Sequence, residues 1–197
     1  MNKPKVLITR QLLPEVLEQV SEFADMEVWP DTYPPSPEEL GTLLKDKHGV
    51  LTTIMDRIDA SAMDSAPNLK VVSQLGVGVD HIDVDEATKR RILVGNTPGV
   101  LAKATADIAF ALLMSAARRV SEGDHWVHDK QWELAFHPLH WLGVDVHSTT
   151  LGIVGLGETG LEMVKRAQGF DMKVIYYSRT RKPDLEAKYS IEFVDFK

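Results

Sequence analysis

Apolar residues come in short runs along this chain, and between the runs they recur every third or fourth position. Residues 5–9 (KVLIT) form the first run and predict a buried strand. Val16, Leu17, Val20 and Phe23 then mark one face of a helix over 14–23. Residues 26–29 predict a short strand ended by Pro30, and a proline-rich loop covers 31–37. Within it, Ser36 followed by Pro37, Glu38 and Glu39 supplies an N-cap with proline at the first helical position. Further strands are expected at 49–54, 69–75 and 92–94, with helices at 61–65 and 84–91 between them. Strands alternating with helices imply a parallel sheet covered on both faces. Residues 1–99 therefore read as one α/β domain, of ordinary domain size.

The pattern then changes. Residues 100–119 form a long stretch rich in Ala and Leu, with few charges before Arg118 and Arg119. An apolar helix of that length between two α/β units is expected to be buried between domains or subunits. A second helix is expected at 121–130. Residues 131–147 are irregular and carry Trp132, Phe136, Pro138 and Trp141. Aromatic residues on a loop suit either a contact surface or a local mini-core.

Candidate chemistry enters at 151–178. A short apolar run (Leu151, Ile153, Val154) leads into GLGETG at 155–160, a helix-period segment with Met163, Val164 and Ala167, and a second apolar run at 174–177. Strand, glycine turn, helix and strand is the order of a dinucleotide-binding unit. Gly155 permits the tight turn, Gly157 lets backbone approach a pyrophosphate, and Gly160 lets the helix pack on the strand. The competing reading is a plain turn between strand and helix. An NAD site places Asp or Glu at the end of the second strand, whereas this chain has Ser178, Arg179, Thr180 and Arg181, and its next carboxylate is Asp184. Hydroxyls and guanidinium groups suit a ribose 2′-phosphate, so NADP is favoured over NAD; the alternative is a solvated basic turn.

Composition narrows the function classes. The 197 residues are 44% hydrophobic and 26% charged, which is ordinary for a globular protein of one or two domains. A net charge of -7 without a basic stripe argues against nucleic acid or an anionic membrane as partner. With no cysteine, disulfide and thiolate chemistry are excluded. The N-terminus is too short and charged for a signal peptide and no apolar run approaches a membrane span, so a cytoplasmic location is expected.

The other titratable residues read as structural. His81 is expected to pack its turn rather than act as an acid. His125 and His128 lie three apart on a helix without a third ligand at suitable spacing, and His137, His140 and His147 are scattered, so no metal site is expected. Asp80, Asp83 and Asp85 lack the Gly and closing Glu of a calcium loop. Arg90, Arg91, Arg118 and Arg119 suit solvated helix ends.

Several segments together resemble the D-isomer-specific 2-hydroxyacid dehydrogenases, and within them the glyoxylate/hydroxypyruvate reductases. They are LGVGVDHID at 75–83, NTPGV at 96–100, TAD at 105–107, WLG at 141–143 and the fingerprint running on to YSRTR at 177–181. The resemblance implies a flavodoxin-like parallel-sheet domain over 1–99 that binds substrate. Over 100–197 it implies inter-domain or dimer helices and the first part of a Rossmann NAD(P)-binding domain, in a homodimer. Ile54, Met55, Val77 and Gly78 would then face a small 2-keto or 2-hydroxy acid, with the Val77–Gly78 amides on its carboxylate. Thr105 would touch phosphate near the nicotinamide. Gly155, Leu156, Gly157, Glu158, Thr159 and Gly160 would hold the pyrophosphate, and Ser178, Arg179 and Thr180 the 2′-phosphate. The segment around His140 and Trp141 would reach the neighbouring subunit's active site.

Two departures stand out. Family members commonly carry Arg followed by Ile where this chain has Glu158 and Thr159, and a carboxylate repels a pyrophosphate. The family's catalytic Arg, Glu and His also have no counterpart here: the last histidine is His147, and the 37 residues after Gly160 have room for one helix, a strand and a third strand at 191–194. No catalytic residue is therefore assigned within this chain. The expected activity is NAD(P)H-dependent reduction of glyoxylate, hydroxypyruvate or a similar 2-keto acid, with the 197-residue chain inactive alone. The alternatives are a non-catalytic nucleotide-binding module and an inert fragment.

Overall fold

Five parallel strands, β1 (Lys5–Ile8), β2 (Asp25–Val28), β3 (Gly49–Thr52), β4 (Val71–Gln74) and β5 (Leu93–Gly95), build the first sheet. Their order is β2-β1-β3-β4-β5, the flavodoxin-like arrangement. This computed structural model describes residues 3–136 and 138–196. Register places Val6 beside Gly49, Gly49 beside Val71, and Val71 beside Leu93. The apolar runs thus meet side by side, as near-continuous strands of a parallel sheet do.

Helices α1 (Pro14–Phe23), α2 (Pro37–Leu44), α3 (Ala60–Asp64) and α4 (Val84–Lys89) connect these strands. Ser36 caps α2 reciprocally with Glu39: its hydroxyl accepts the Glu39 N–H, and the Glu39 carboxylate accepts the Ser36 N–H at 2.8 Å. Asp59 and Asp83 cap α3 and α4 in the simpler way. Leu7, Leu40, Leu44, Val50, Ile58, Met63, Val72, Ile82 and Ile92 form the core. Each such side chain contributes about 1.5–3 kcal/mol relative to exposure.

One expectation is met on an open surface, and another needs correction. No residue of α1 is buried, and Phe23 is 73% exposed, so the apolar face expected over 14–23 forms on a helix that the described residues leave open. The strand expected over 49–54 stops at Thr52 because the Asp56 carboxylate takes the Thr53 N–H at 2.8 Å, drawing the chain out of the ladder.

The chain divides into two compact units, Met1–Gly99 and Val100–Lys197. The second opens with α5 (Ala102–Arg118) and α6 (Val120–His128). Between them Arg119 adopts a left-handed conformation with φ 55°. Its guanidinium pairs with Glu122 and lies 4.1 Å from the Trp141 ring centroid, while Trp126 stacks on Trp141 at 4.6 Å. Of the loop aromatics Trp141 thus joins a local cluster, while Trp132 and Phe136 stay exposed. Within this single chain Ala106 alone of the long helix is buried, and Ile108 and Leu112 are 65% and 64% exposed, so the chain does not itself supply the cover expected from a domain or a subunit. The long helix's main packing partner within the unit is the helix over Glu158–Gln168, with Arg166 Nε on Asp107 at 2.9 Å and Phe170, just past that helix, against Phe110 at 4.9 Å.

Then follow β6 (Thr150–Val154), α7 (Glu158–Gln168), β7 (Lys173–Tyr177), α8 (Pro183–Tyr189) and β8 (Glu192–Phe193). The strands are parallel, in the order β6-β7-β8. This is the first part of a Rossmann sheet, the half that reads 3-2-1 in a doubly wound order. Ile153, Leu156, Val164, Ala167, Val174, Tyr176 and Ile191 form its core. Among the described residues, no helix is long and apolar enough to cross a membrane.

Candidate functional site

The glycine loop joins β6 to α7. Gly155 has φ 95°, a left-handed region that L side chains rarely adopt, and its N–H donates to Tyr177 O at 2.8 Å. Leu156 is buried and anchors the loop in the core. Gly157 is the N-cap of α7 and offers no side-chain cap, so the first-turn N–H groups have no side-chain acceptor. A Cβ on Gly157 would meet nothing within 4 Å. On Gly160 it would collide with the Gly155 carbonyl and come within 3.3 Å of Ile153 Cγ2. The three glycines therefore do different things: one turns the chain, one leaves space, and one lets the helix touch the strand.

A cavity of about 380 Å³ opens at this loop, lined by Gly155, Leu156, Gly157, Tyr177, Ser178, Arg179, Thr180 and Lys182. The structure thus brings the fingerprint together with the residues at the end of β7. Ser178 Oγ donates to Thr180 O at 2.6 Å, which fixes the turn. Arg179 is exposed on the rim. Glu158, Thr159 and Gly160 sit on the first turn of α7 and Thr105 on the first turn of α5, and none of them lines the cavity. Thr105 Oγ1 instead donates to Leu101 O at 2.9 Å.

Below the cavity lies a polar network. The buried Tyr176 hydroxyl accepts the Lys182 N–H at 2.8 Å and donates to Glu186 Oε1 at 2.8 Å. Arg181 donates to both Glu186 oxygens. Those bonds, from Arg181 first and then Tyr176, hold the Glu186 carboxyl below its ordinary value, while burial pushes the Tyr176 phenol up. Sequence reasoning missed Lys182, whose place at the cavity depends on a contact with Leu156 that no local spacing announces.

The first unit carries a second cavity of about 480 Å³, lined by Ile54, Met55, Arg57, Asp59, Asp80, His81, Ile82 and Asp83. Ile54 and Met55 are brought together there; Val77 and Gly78 are exposed but do not line it. Their turn is held from behind, because Asn96 Nδ2 donates to Val77 O at 2.8 Å and the Thr97 N–H to Gly76 O at 2.9 Å. His81 Nε2 hydrogen-bonds with Oε1 of the buried Gln74 at 3.1 Å, which fits the structural reading of that histidine. Burial pushes its pKa down, against the pull of Asp56 and Asp80.

Beneath Ile54 and Met55, Asp56 is buried and its Oδ2 accepts from Thr9 Oγ1 at 2.6 Å and from the Thr53 N–H and hydroxyl at 2.8 and 2.9 Å. Arg10 pairs with its other oxygen at 3.1 Å. Nothing in the spacing of these residues announced that network. Among the described residues, no group of three His, Asp or Glu is disposed to hold a metal ion. His137 lies outside the described residues.

Comparison with known proteins decides the family. The family model for the D-isomer specific 2-hydroxyacid dehydrogenase catalytic domain matches residues 6–184. The chain belongs to the D-isomer specific 2-hydroxyacid dehydrogenases. It is 46% identical to a glyoxylate reductase of Thermococcus litoralis over 98% of this chain and 60% of that protein. Among solved structures, the TT0316 protein of Thermus thermophilus superposes with a TM-score of 0.89 at 42% identity, over 96% of this chain and 59% of that one. An NADPH-dependent glyoxylate/hydroxypyruvate reductase from Sinorhizobium meliloti, solved with citrate, gives 0.79 at 26% identity, over 98% and 58%. The chain thus spans about 60% of the length of the relatives it matches.

Proposed function

We propose that this chain provides the substrate-side unit and the nucleotide-phosphate cradle of an NADP-preferring 2-hydroxyacid dehydrogenase that reduces glyoxylate, hydroxypyruvate or a similar small 2-keto acid. One observation carries the cofactor half: a single cavity is lined by Gly155 and Gly157 of the fingerprint and by Ser178, Arg179 and Thr180. The residues fit the group, since the α7 amides are uncapped and Gly157 leaves room for a pyrophosphate. In this reading Leu156, Glu158, Thr159 and Gly160 form the rest of the pyrophosphate cradle. Arg179 grips the 2′-phosphate with help from Ser178 and Thr180, and Thr105 contacts phosphate nearer the nicotinamide. NAD lacks the phosphate that Arg179 would pair with.

On the substrate side, Ile54 and Met55 line one wall and the Val77 and Gly78 amides receive the carboxylate. The bound nicotinamide supplies a hydride to the keto carbon. The relatives named as glyoxylate reductases support this substrate class. The family's Arg, Glu and His have no counterpart in these 197 residues. On this reading the isolated 197-residue chain binds nucleotide but turns over near background, and the protein is further proposed to be a cytoplasmic homodimer.

The test combines calorimetric titration with NADPH and NADH and a glyoxylate-reduction assay on the mass-verified chain. Tighter binding of NADPH with no turnover above background is expected. Equal affinity for the two would remove the NADP preference, and measurable reduction would overturn the assignment of catalysis to residues this chain lacks.

A further inference from the structure

Three cations follow β7, and the structure sets them differently. Arg181 donates from Nε and Nη2 to the two oxygens of Glu186 at 2.9 and 2.7 Å, so its charge is matched, and it does not line the nucleotide cavity. Arg179 and Lys182 both line it. The Lys182 backbone is fixed by the core, through its N–H on the buried Tyr176 hydroxyl. Its Nζ donates at 2.7 Å to the carbonyl of Leu156, between the first two glycines of the fingerprint. An ammonium carries three donors, and that carbonyl occupies one of them.

We propose that Lys182 is a specificity-determining residue for the cofactor, pairing with the ribose 2′-phosphate alongside Arg179 while Glu186 holds Arg181 out of the site. This rests on the nucleotide reading above. A phosphate shared by a guanidinium and an ammonium gains two charge-assisted bonds that a 2′-hydroxyl does not match. The Leu156 contact places the ammonium at the loop before any ligand arrives, so less ordering is required on binding.

Adenosine 2′,5′-bisphosphate and 5′-AMP differ only in the 2′-phosphate, and their calorimetric titration into this chain separates the possibilities. Lys182→Gln keeps a donor for the Leu156 carbonyl and removes the charge. It is expected to weaken the bisphosphate about tenfold and 5′-AMP by less than about twofold, with Lys182→Arg recovering most of the loss. Arg181→Met is expected to change neither by more than about twofold. Equal weakening of both probes by Lys182→Gln would make Lys182 a staple of the glycine loop and overturn the proposal, as would an unchanged bisphosphate affinity. A loss in Arg181→Met as large as in Lys182→Gln would overturn the exclusion of Arg181. If the unsubstituted chain bound neither probe, the nucleotide reading would fall as well; failure confined to the variants overturns this proposal alone.

Discussion

Gly157 and Gly160 lie three residues apart, yet a methyl group added to each has opposite consequences. At Gly160 the added carbon strikes the Gly155 carbonyl, so α7 must move off β6. Gly160→Ala is expected to cost about 1–3 kcal/mol in chemical denaturation, and nucleotide binding with it. At Gly157 the same carbon meets nothing within 4 Å. Gly157→Ala is expected to leave the denaturation midpoint in place while weakening 5′-AMP about tenfold, because the methyl stands where phosphate approaches. Similar stability losses in the two variants would refute that division of labour. The glycines could be read from the sequence because each meets a local demand of one turn. Lys182 and Asp56 could not. Lys182 matters only because folding brings it to Leu156, 26 positions earlier in the chain, and Asp56 only because it meets Thr9 across two strands.

At the scale of elements, helix ends and short ion pairs give the fold its response to acid. Glu39 in the α2 capping box, Glu86 beside Lys89 and Arg90, Glu162 beside Lys165, and Glu186 beside Arg181 all titrate below their ordinary values because hydrogen-bond donors favour the ionised form. Asp46, between Lys47 and Lys5, is lowered to about 2. Their folded pKa values lie below the unfolded ones, so the stability they add is present above roughly pH 4.5 and is lost as pH falls through the depressed values. The melting temperature is expected to be level near neutrality and to drop steadily below about pH 4; a flat profile from pH 6 to 3 would contradict this. Most elements were legible because their signals are periodic or sit at caps, as Ser36 shows. Helix α8 was not. Its sign was Pro183 at the first turn followed by Asp184 and Glu186, of which the sequence reading used Asp184 alone, as the next carboxylate after the basic turn.

For the molecule as a whole, parallel sheets were foreseeable from the alternation of runs, whereas their strand orders, β2-β1-β3-β4-β5 and β6-β7-β8, and the exposure of α5 were not. An apolar helix announces that something covers it, but not which chain the cover belongs to. With Ile108 and Leu112 open to solvent, a second copy is the cover we propose. Light scattering is expected to show a dimer, and Leu112→Asp to shift it toward monomer with its circular dichroism unchanged; a monomer before substitution would end that reading. The second sheet has a subtler property. Among the described residues strand β6 is bonded to β7 and to no other strand, and the glycine loop hangs from its end. A margin strand exchanges its outward amide hydrogens more freely than an interior one. A nucleotide clasped at its tip would quieten the whole strand, so deuterium uptake along β6 becomes a built-in gauge of occupancy, read at a distance from the ligand itself.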